Sequence, residues 1–151
     1  MDREAAFKKV IHFCEYQERS RQEVEERLLE WNVSQNLIPS IIEELEKSNF
    51  LNERRFAIEY SHGKFKSKGW GRIRIRQGLL RKGISKELIE EGLRTIDPDE
   101  YFQKISSLIN KKLDLVESEN ELEKNHKVAR YILSYGFEPE LIWKILKQEE
   151  I

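Results

Sequence analysis

Apolar residues recur along this chain at helical spacing. Phe7, Val10, Ile11 and Cys14 follow i, i+3, i+4, i+7, as do Ile38, Ile41, Ile42 and Leu45, while Val24, Leu28 and Trp31 follow i, i+4, i+7. That spacing lines one face of a 3.6-residue turn. No alternating run of strand length accompanies it, so the pattern predicts an all-α chain. Start and stop residues agree. Ser20 with Glu23 forms a capping box, in which each side chain answers the other's backbone N–H. Asp97 precedes Pro98, with Glu100 three residues on, and Ser118 with Glu121 offers a further box. Gly83 and Gly136 suit the left-handed position after a helix, where a missing Cβ removes the steric penalty, and Asn32 is the next most tolerant residue there.

Three segments share one register: LLEWNVSQNLIPSIIEEL, LLRKGISKELIEEGLRTI and ILSYGFEPELIWKILKQE. Leu28 matches Leu79 at an offset of 51, and Leu79 matches Ile132 at an offset of 53. The helix stops Asn32, Gly83 and Gly136 align. So do Val24, Ile75 and Val128 before them, and two sets after them: Ile38, Ile89 and Ile142, then Ile42, Leu93 and Leu146. An earlier helix is expected in each copy, over about 4–17, 53–66 and 98–113. A shared register across two helices and their turn is the mark of stacked helical repeats. The expectation is three tandem three-helix, helix-turn-helix-like repeats over 1–48, 49–96 and 97–151, forming an elongated, curved array with less regular outer copies. In the middle copy a helix runs from near Gly71 to Lys82. Ile75 and Leu79 point inward, and Arg74, Gly78 and Arg81 fall on or near the opposite side. Lys82 occupies the register of Trp31 and Tyr135, so its charge must reach outward along its own stem.

Charge changes this plain picture. The 151 residues are 36% charged, with mean hydropathy −0.71 and a formal net charge of only −1. Yet nine basic residues lie between Tyr60 and Lys86 (Lys64, Lys66, Lys68, Arg72, Arg74, Arg76, Arg81, Lys82 and Lys86) without one Asp or Glu. The rest of the chain holds 18 basic and 28 acidic residues. Solvated helix faces ordinarily mix signs to gain i, i+4 pairs. An unmixed run repels itself and weakens the fold, so a polyanionic partner is expected. The candidate contact set is Lys64, Lys66, Lys68, Trp70, Arg72, Arg74, Arg76, Arg81 and Lys82. Of the nearby aromatics, Phe56 and Tyr60 have core spacing, while Phe65 and Trp70 fall in a connector over 63–71. Exposed rings beside cations can stack on unpaired bases. Pairing of these arginines with acids of the same chain would abolish such a face.

Catalytic chemistry finds no foothold. His12, His62 and His126 are far apart, no Cys-x-x-Cys or His-Glu-x-x-His pair exists, and Gly69-Trp70-Gly71 lacks the ending of a phosphate loop. No enzymatic activity, metal or cofactor is expected. Cys14, the one cysteine, excludes an intramolecular disulfide and reads as a buried thiol. No run approaches the roughly 20 apolar residues of a membrane span, and MDREAAFKKV has no apolar core of a secretion signal. A reducing cytoplasm is the expected compartment.

FLNERRFAIEY (Phe50–Tyr60), then KGWGRIRIRQGLLRKGI (Lys68–Ile84), resembles the RecX family of bacterial regulators of the RecA recombinase. That family shows a Leu-Asp-Glu-x-Arg-Phe-Ala stretch, Lys-Gly-x-Gly, an Arg-Ile-Arg-Gln helix and Lys-Gly-Ile. In YQERSRQEVEERLLEW, Arg19, Ser20, Glu23 and Val24 stand in the places of its Arg-Ser-x-x-Glu-Leu segment. The likeness covers about residues 5–96 well and the last third only in pattern. Asn52 stands where the family usually has Asp, and either caps a helix. Gly78 replaces a usual Glu, at about 1 kcal/mol of helix propensity, and leaves room for a close approach by a partner. The resemblance implies a tandem-repeat monomer that lies in the groove of the RecA–DNA filament and suppresses ATP hydrolysis, strand exchange and filament growth. It implies a place in DNA recombination, repair and the SOS response. Single- or double-stranded DNA alone would be bound weakly. The family's basic middle copy corresponds to Arg72, Arg74, Arg76, Arg81 and Lys82, with Lys66 and Lys68. Two other readings stay open: a DNA-binding protein acting without RecA, with Arg74 and Arg81 near a helix surface, and a purely protein-binding helical repeat.

Overall fold

The computed structural model describes residues 1–148, and among them nine α-helices and no strand. The helices are α1 (Arg3–Tyr16), α2 (Arg21–Glu30), α3 (Ile38–Lys47), α4 (Glu53–Lys68), α5 (Arg72–Arg81), α6 (Lys86–Arg94), α7 (Pro98–Leu115), α8 (Glu121–Leu133) and α9 (Pro139–Leu146). The three helix stops hold as expected: Asn32, Gly83 and Gly136 take φ values of 61°, 78° and 90°. Asn49 does the same after α3, at φ 63°. The Ser20–Glu23 box forms in full. Asp97 takes its N-cap position, but its side chain makes no capping bond.

Three expectations need correction. α4 continues through Gly63 to Lys68, so Phe65 is a buried helical residue rather than part of a connector; only 69–71 separates α4 from α5. Burial of Phe65 offsets the roughly 1 kcal/mol that a mid-helix glycine costs. Gly78 is buried, not outward, because i+3 from Ile75 and i−1 from Leu79 place it beside the inward stripe. α8 begins at Glu121 with Asn120 as its cap, Oδ1 accepting from the Glu123 N–H at 3.2 Å, so Ser118 and Glu121 form no box. By the repeat register this start lies one turn earlier than that of α5.

The chain divides into two compact units, Met1–Tyr60 with Leu79–Gly92, and Ser61–Gly78 with everything from Leu93 onward. In the first, α1–α3 enclose Ala6, Val10, Val24, Leu28, Ile41 and Leu45, each fully buried. Cys14 lies at the edge of this core, and burial pushes its thiol up to about 11 from an ordinary 9.0, so it is inert. Ion pairs tie the later segments of this unit to the α1–α3 segment, Arg55–Glu18 at 2.9 Å and Lys82–Glu23 at 3.2 Å, and to one another, Arg54–Glu91 at 2.6 Å.

The second unit packs α7, α8 and α9 with the end of α4 and the start of α5. Phe65, Tyr101 and Phe137 form a buried aromatic row, with ring centres 5.7 and 5.4 Å apart. At its centre α5 begins against the end of α8. The N–H of Gly71 donates to the Tyr135 carbonyl at 2.8 Å, and that of Ile73 to the Gly136 carbonyl at 3.0 Å. Between them, the Arg72 N–H donates to the Tyr101 hydroxyl at 2.9 Å. That hydroxyl donates to Glu138 Oε1, while Arg72 Nη1 lies 2.9 Å from Glu138 Oε2. Burial, then the bond to Glu138, hold the Tyr101 phenol far above its ordinary range, against the opposing pull of the Arg72 N–H. Both glycines are needed for the approach. A Cβ on Gly71 would collide with the Gly136 carbonyl, and one on Gly136 with Arg74.

Gly71→Ala and Gly136→Ala should therefore each lose at least about 2 kcal/mol in urea unfolding, from backbone collision and, at Gly136, added left-handed strain. Gly63→Ala, in open space inside α4, should instead gain about 0.5–1 kcal/mol. Equal midpoints for Gly71→Ala and Gly63→Ala would refute the packing described. Tyr101→Phe leaves Glu138 and the Arg72 N–H without their shared partner and should lose about 1–3 kcal/mol, read by the same method, with helical circular dichroism unchanged.

Candidate partner-binding surface

The nine sequence-selected residues do not form one uniform face. Arg72 is held within the chain by Glu138, with its guanidinium carbon 3.9 Å from the Tyr101 ring centre and a side chain only 26% exposed. Lys82 reaches outward as its register required, but ends on Glu23. These two cations serve the fold. Arg76 is half-buried on α5. Lys66, Lys68, Arg74 and Arg81 are exposed and stand outside the ion pairs of the described residues.

Three members are brought together in the second unit. Trp70 projects from the turn between α4 and α5, which the Trp70 N–H closes on the Lys64 carbonyl at 3.0 Å. Lys64 Nζ, from the last part of α4, lies 5.0 Å from its ring centre, and the Arg74 guanidinium, from the first turn of α5, lies 4.4 Å from it. A cation above an aromatic face is attracted by the ring quadrupole. Arg74 also donates from Nη1 to the Ser134 carbonyl at 3.4 Å, near the C-terminal, negative end of α8.

That bond leads to residues the sequence reading missed. Tyr131, in the last turn of α8, and Tyr135, in the turn that follows it, have ring centres 5.4 Å and hydroxyls 3.4 Å apart. Lys112 Nζ of α7 lies 4.0 Å from the Tyr131 ring centre. The hydroxyl pair, chiefly through Tyr131, raises the Tyr135 phenol, while Arg74 and Lys112 pull it down. The repeat register offered a clue: Tyr131 aligns with Arg27 and Gly78, not with a position apolar in all three copies.

Charge separates the units as well. The first holds 12 basic and 16 acidic residues, and the described part of the second 15 basic and 10 acidic. The arrangement suits attraction and stacking. The histidines are dispersed: His62 bonds Thr95 at 2.8 Å and His126 meets the Trp143 ring edge-on. Among the described residues no group of three or more His, Cys, Asp or Glu is placed to hold a metal ion, and no helix is long and apolar enough to cross a membrane.

Comparison with known proteins places this geometry. The family model described as RecX, first three-helix domain, matches residues 6–45, and that of the second three-helix domain matches residues 52–93. Regulatory protein RecX of Oceanobacillus iheyensis is 27% identical over 143 residues, covering 95% of this chain and 53% of that protein. The chain thus spans about half the length of that relative. Regulatory protein RecX of Haemophilus influenzae is 27% identical, covering 96% of this chain and 95% of its own. That of Clostridium botulinum is 30% identical over 148 residues, covering 97% of this chain and 67% of its own. The crystal structure of RecX from Lactobacillus salivarius superposes with a TM-score of 0.88 at 23% identity, over 97% of this chain and 95% of that one, and shares the all-helical repeat fold. With successive three-helix domains matched over more than half its residues, the chain belongs to the RecX family.

Proposed function

We propose that this chain regulates the RecA recombinase by binding the RecA–DNA filament and restraining its ATP hydrolysis, strand exchange and growth. The observation that carries the reading is the set of exposed cations Lys66, Lys68, Arg74 and Arg81, outside the ion pairs of the described residues, in a protein of a regulatory family. Solvated cations outside any ion pair of the described residues add self-repulsion that a polyanionic partner would relieve. Lys64, Trp70 and Arg76 complete the proposed contact set. Arg72 and Lys82, held by Glu138 and Glu23, support it from within. In this reading the protein acts as a cytoplasmic monomer in DNA recombination, repair and the SOS response, needs no cofactor, and works by occupying a surface the filament requires for cycling ATP.

The test follows ATP turnover by RecA on single-stranded DNA as purified protein is added. The expected result is a saturable fall in turnover. Lys66→Gln/Lys68→Gln/Arg74→Gln should need about tenfold more protein for half-effect, from roughly 0.5 kcal/mol for each exposed cation removed. Arg81→Gln, in the first unit, should give a smaller shift. Turnover unchanged at saturating protein would end this reading.

A further inference from the structure

We infer that the second unit carries a stacking platform for single-stranded nucleic acid, made of the rings of Trp70, Tyr131 and Tyr135 interleaved with the cations Lys64, Arg74 and Lys112. Four helices and two turns supply it: α4 gives Lys64, α5 gives Arg74, α7 gives Lys112 and the last turn of α8 gives Tyr131, with Trp70 in the turn before α5 and Tyr135 in the turn after α8. The pieces connect. Lys64 and Arg74 both lie against the Trp70 ring, Arg74 reaches the Ser134 carbonyl beside the tyrosine pair, and Lys112 lies against Tyr131.

Packing alone does not account for these rings. The aromatics that build the core of this unit are shut away: Tyr101 and Phe137 are 0% exposed and Phe65 is 5%. Tyr131 is 36% exposed, and Trp70 and Tyr135 are each partly open to solvent. Nor does simple charge attraction account for them, since an acidic protein surface needs cations and gains little from rings beside them. Neither Arg74 nor Lys112 is engaged by an acid of the chain among the described residues. Partly exposed rings, with cations 4.0–5.0 Å from the centres of Trp70 and Tyr131, match a strand whose bases are unstacked and whose phosphates run alongside. Duplex DNA keeps its base faces covered and offers phosphate only.

This inference does not rest on the recombinase reading, because its test contains only the full chain and an oligonucleotide. Anisotropy of a dye-labelled 20-nucleotide thymidine strand is followed against protein concentration, beside an abasic strand of equal length and charge and a 20-base-pair duplex. The thymidine strand should bind at least about tenfold more tightly than the abasic strand, the difference expected from base stacking. Tyr131→Leu, an exposed change whose fold is checked by thermal melting, should weaken thymidine binding about tenfold and leave abasic binding unchanged. Lys112→Gln, a second variant away from the core, should lower the salt slope by about 0.7 for the one phosphate no longer neutralised. Equal affinity for thymidine and abasic strands, or thymidine binding untouched by Tyr131→Leu, would overturn the platform.

Discussion

The start of α5 is the point on which the second unit depends. A helix begins with backbone N–H groups that have no partner within it, and these must be answered by a side chain, by water or by another part of the fold. Here the N–H groups of Gly71, Arg72 and Ile73 go to Tyr135, Tyr101 and Gly136. The carbonyl end of α8 meets the amide end of α5, so each satisfies what the other lacks, and the two helix dipoles oppose charge with charge. Only a bare backbone permits the approach, which makes Gly71 and Gly136 the geometric condition for it. The consequence reaches the binding surface. The amide groups that could hold a phosphate at this helix start are already used, and so is Arg72. Anion recognition is left to side chains further along.

The repeats solve the same problem differently at equivalent positions. Ser20 aligns with Gly71 and Lys124. In α2 the helix start is closed locally by the Ser20–Glu23 box, with Glu53 accepting the Arg21 N–H at 3.1 Å. In α5 it is closed by a neighbouring helix. In α8 the register position of Lys124 lies inside the helix, behind an added turn capped by Asn120. One register therefore carries three ways of satisfying the same amides: a side-chain box, a close backbone approach and a self-capped extension. Terminal repeats are irregular in general, and here the irregularity of the last copy takes the form of this extra turn.

What the residues reveal follows the range of the interaction involved. Helix stops and inward positions come directly from local pattern, because Asn32, Gly83 and Gly136 need a left-handed backbone and Val24, Ile75 and Val128 share one stripe. The pattern misleads where a longer-range partner decides. Gly63 reads as the edge of a connector, although Phe65 two residues on is held by Tyr101 from α7. Gly78 is left on or near the outward side by the repeat alignment, yet it is buried beside the stripe of Ile75 and Leu79. Arg72 reads as one cation among nine, since nothing local reveals Glu138, 66 positions away. Tyr131 and Tyr135 lie outside the acid-free run, and their meaning comes only from Arg74 and Lys112 on other helices.

The arrangement of cations also resolves the energetic objection to the acid-free run. Like charges in proximity repel, and a carboxylate beside each would relieve this at the cost of cancelling the field a polyanion responds to. Arg72 and Lys82 take that course, and both are structural. Arg74 and Lys112 take another, lying against aromatic faces, and Lys64 shares the Trp70 ring. A ring attracts a cation through its quadrupole yet carries no net charge, so it fixes the side chain in place while leaving its full positive charge visible from outside. Ordering a long Lys or Arg on a ring also removes part of the entropy cost that a partner would otherwise meet on binding. Under the proposed reading, the contacts that hold these cations in place also order the surface that would meet an anionic strand.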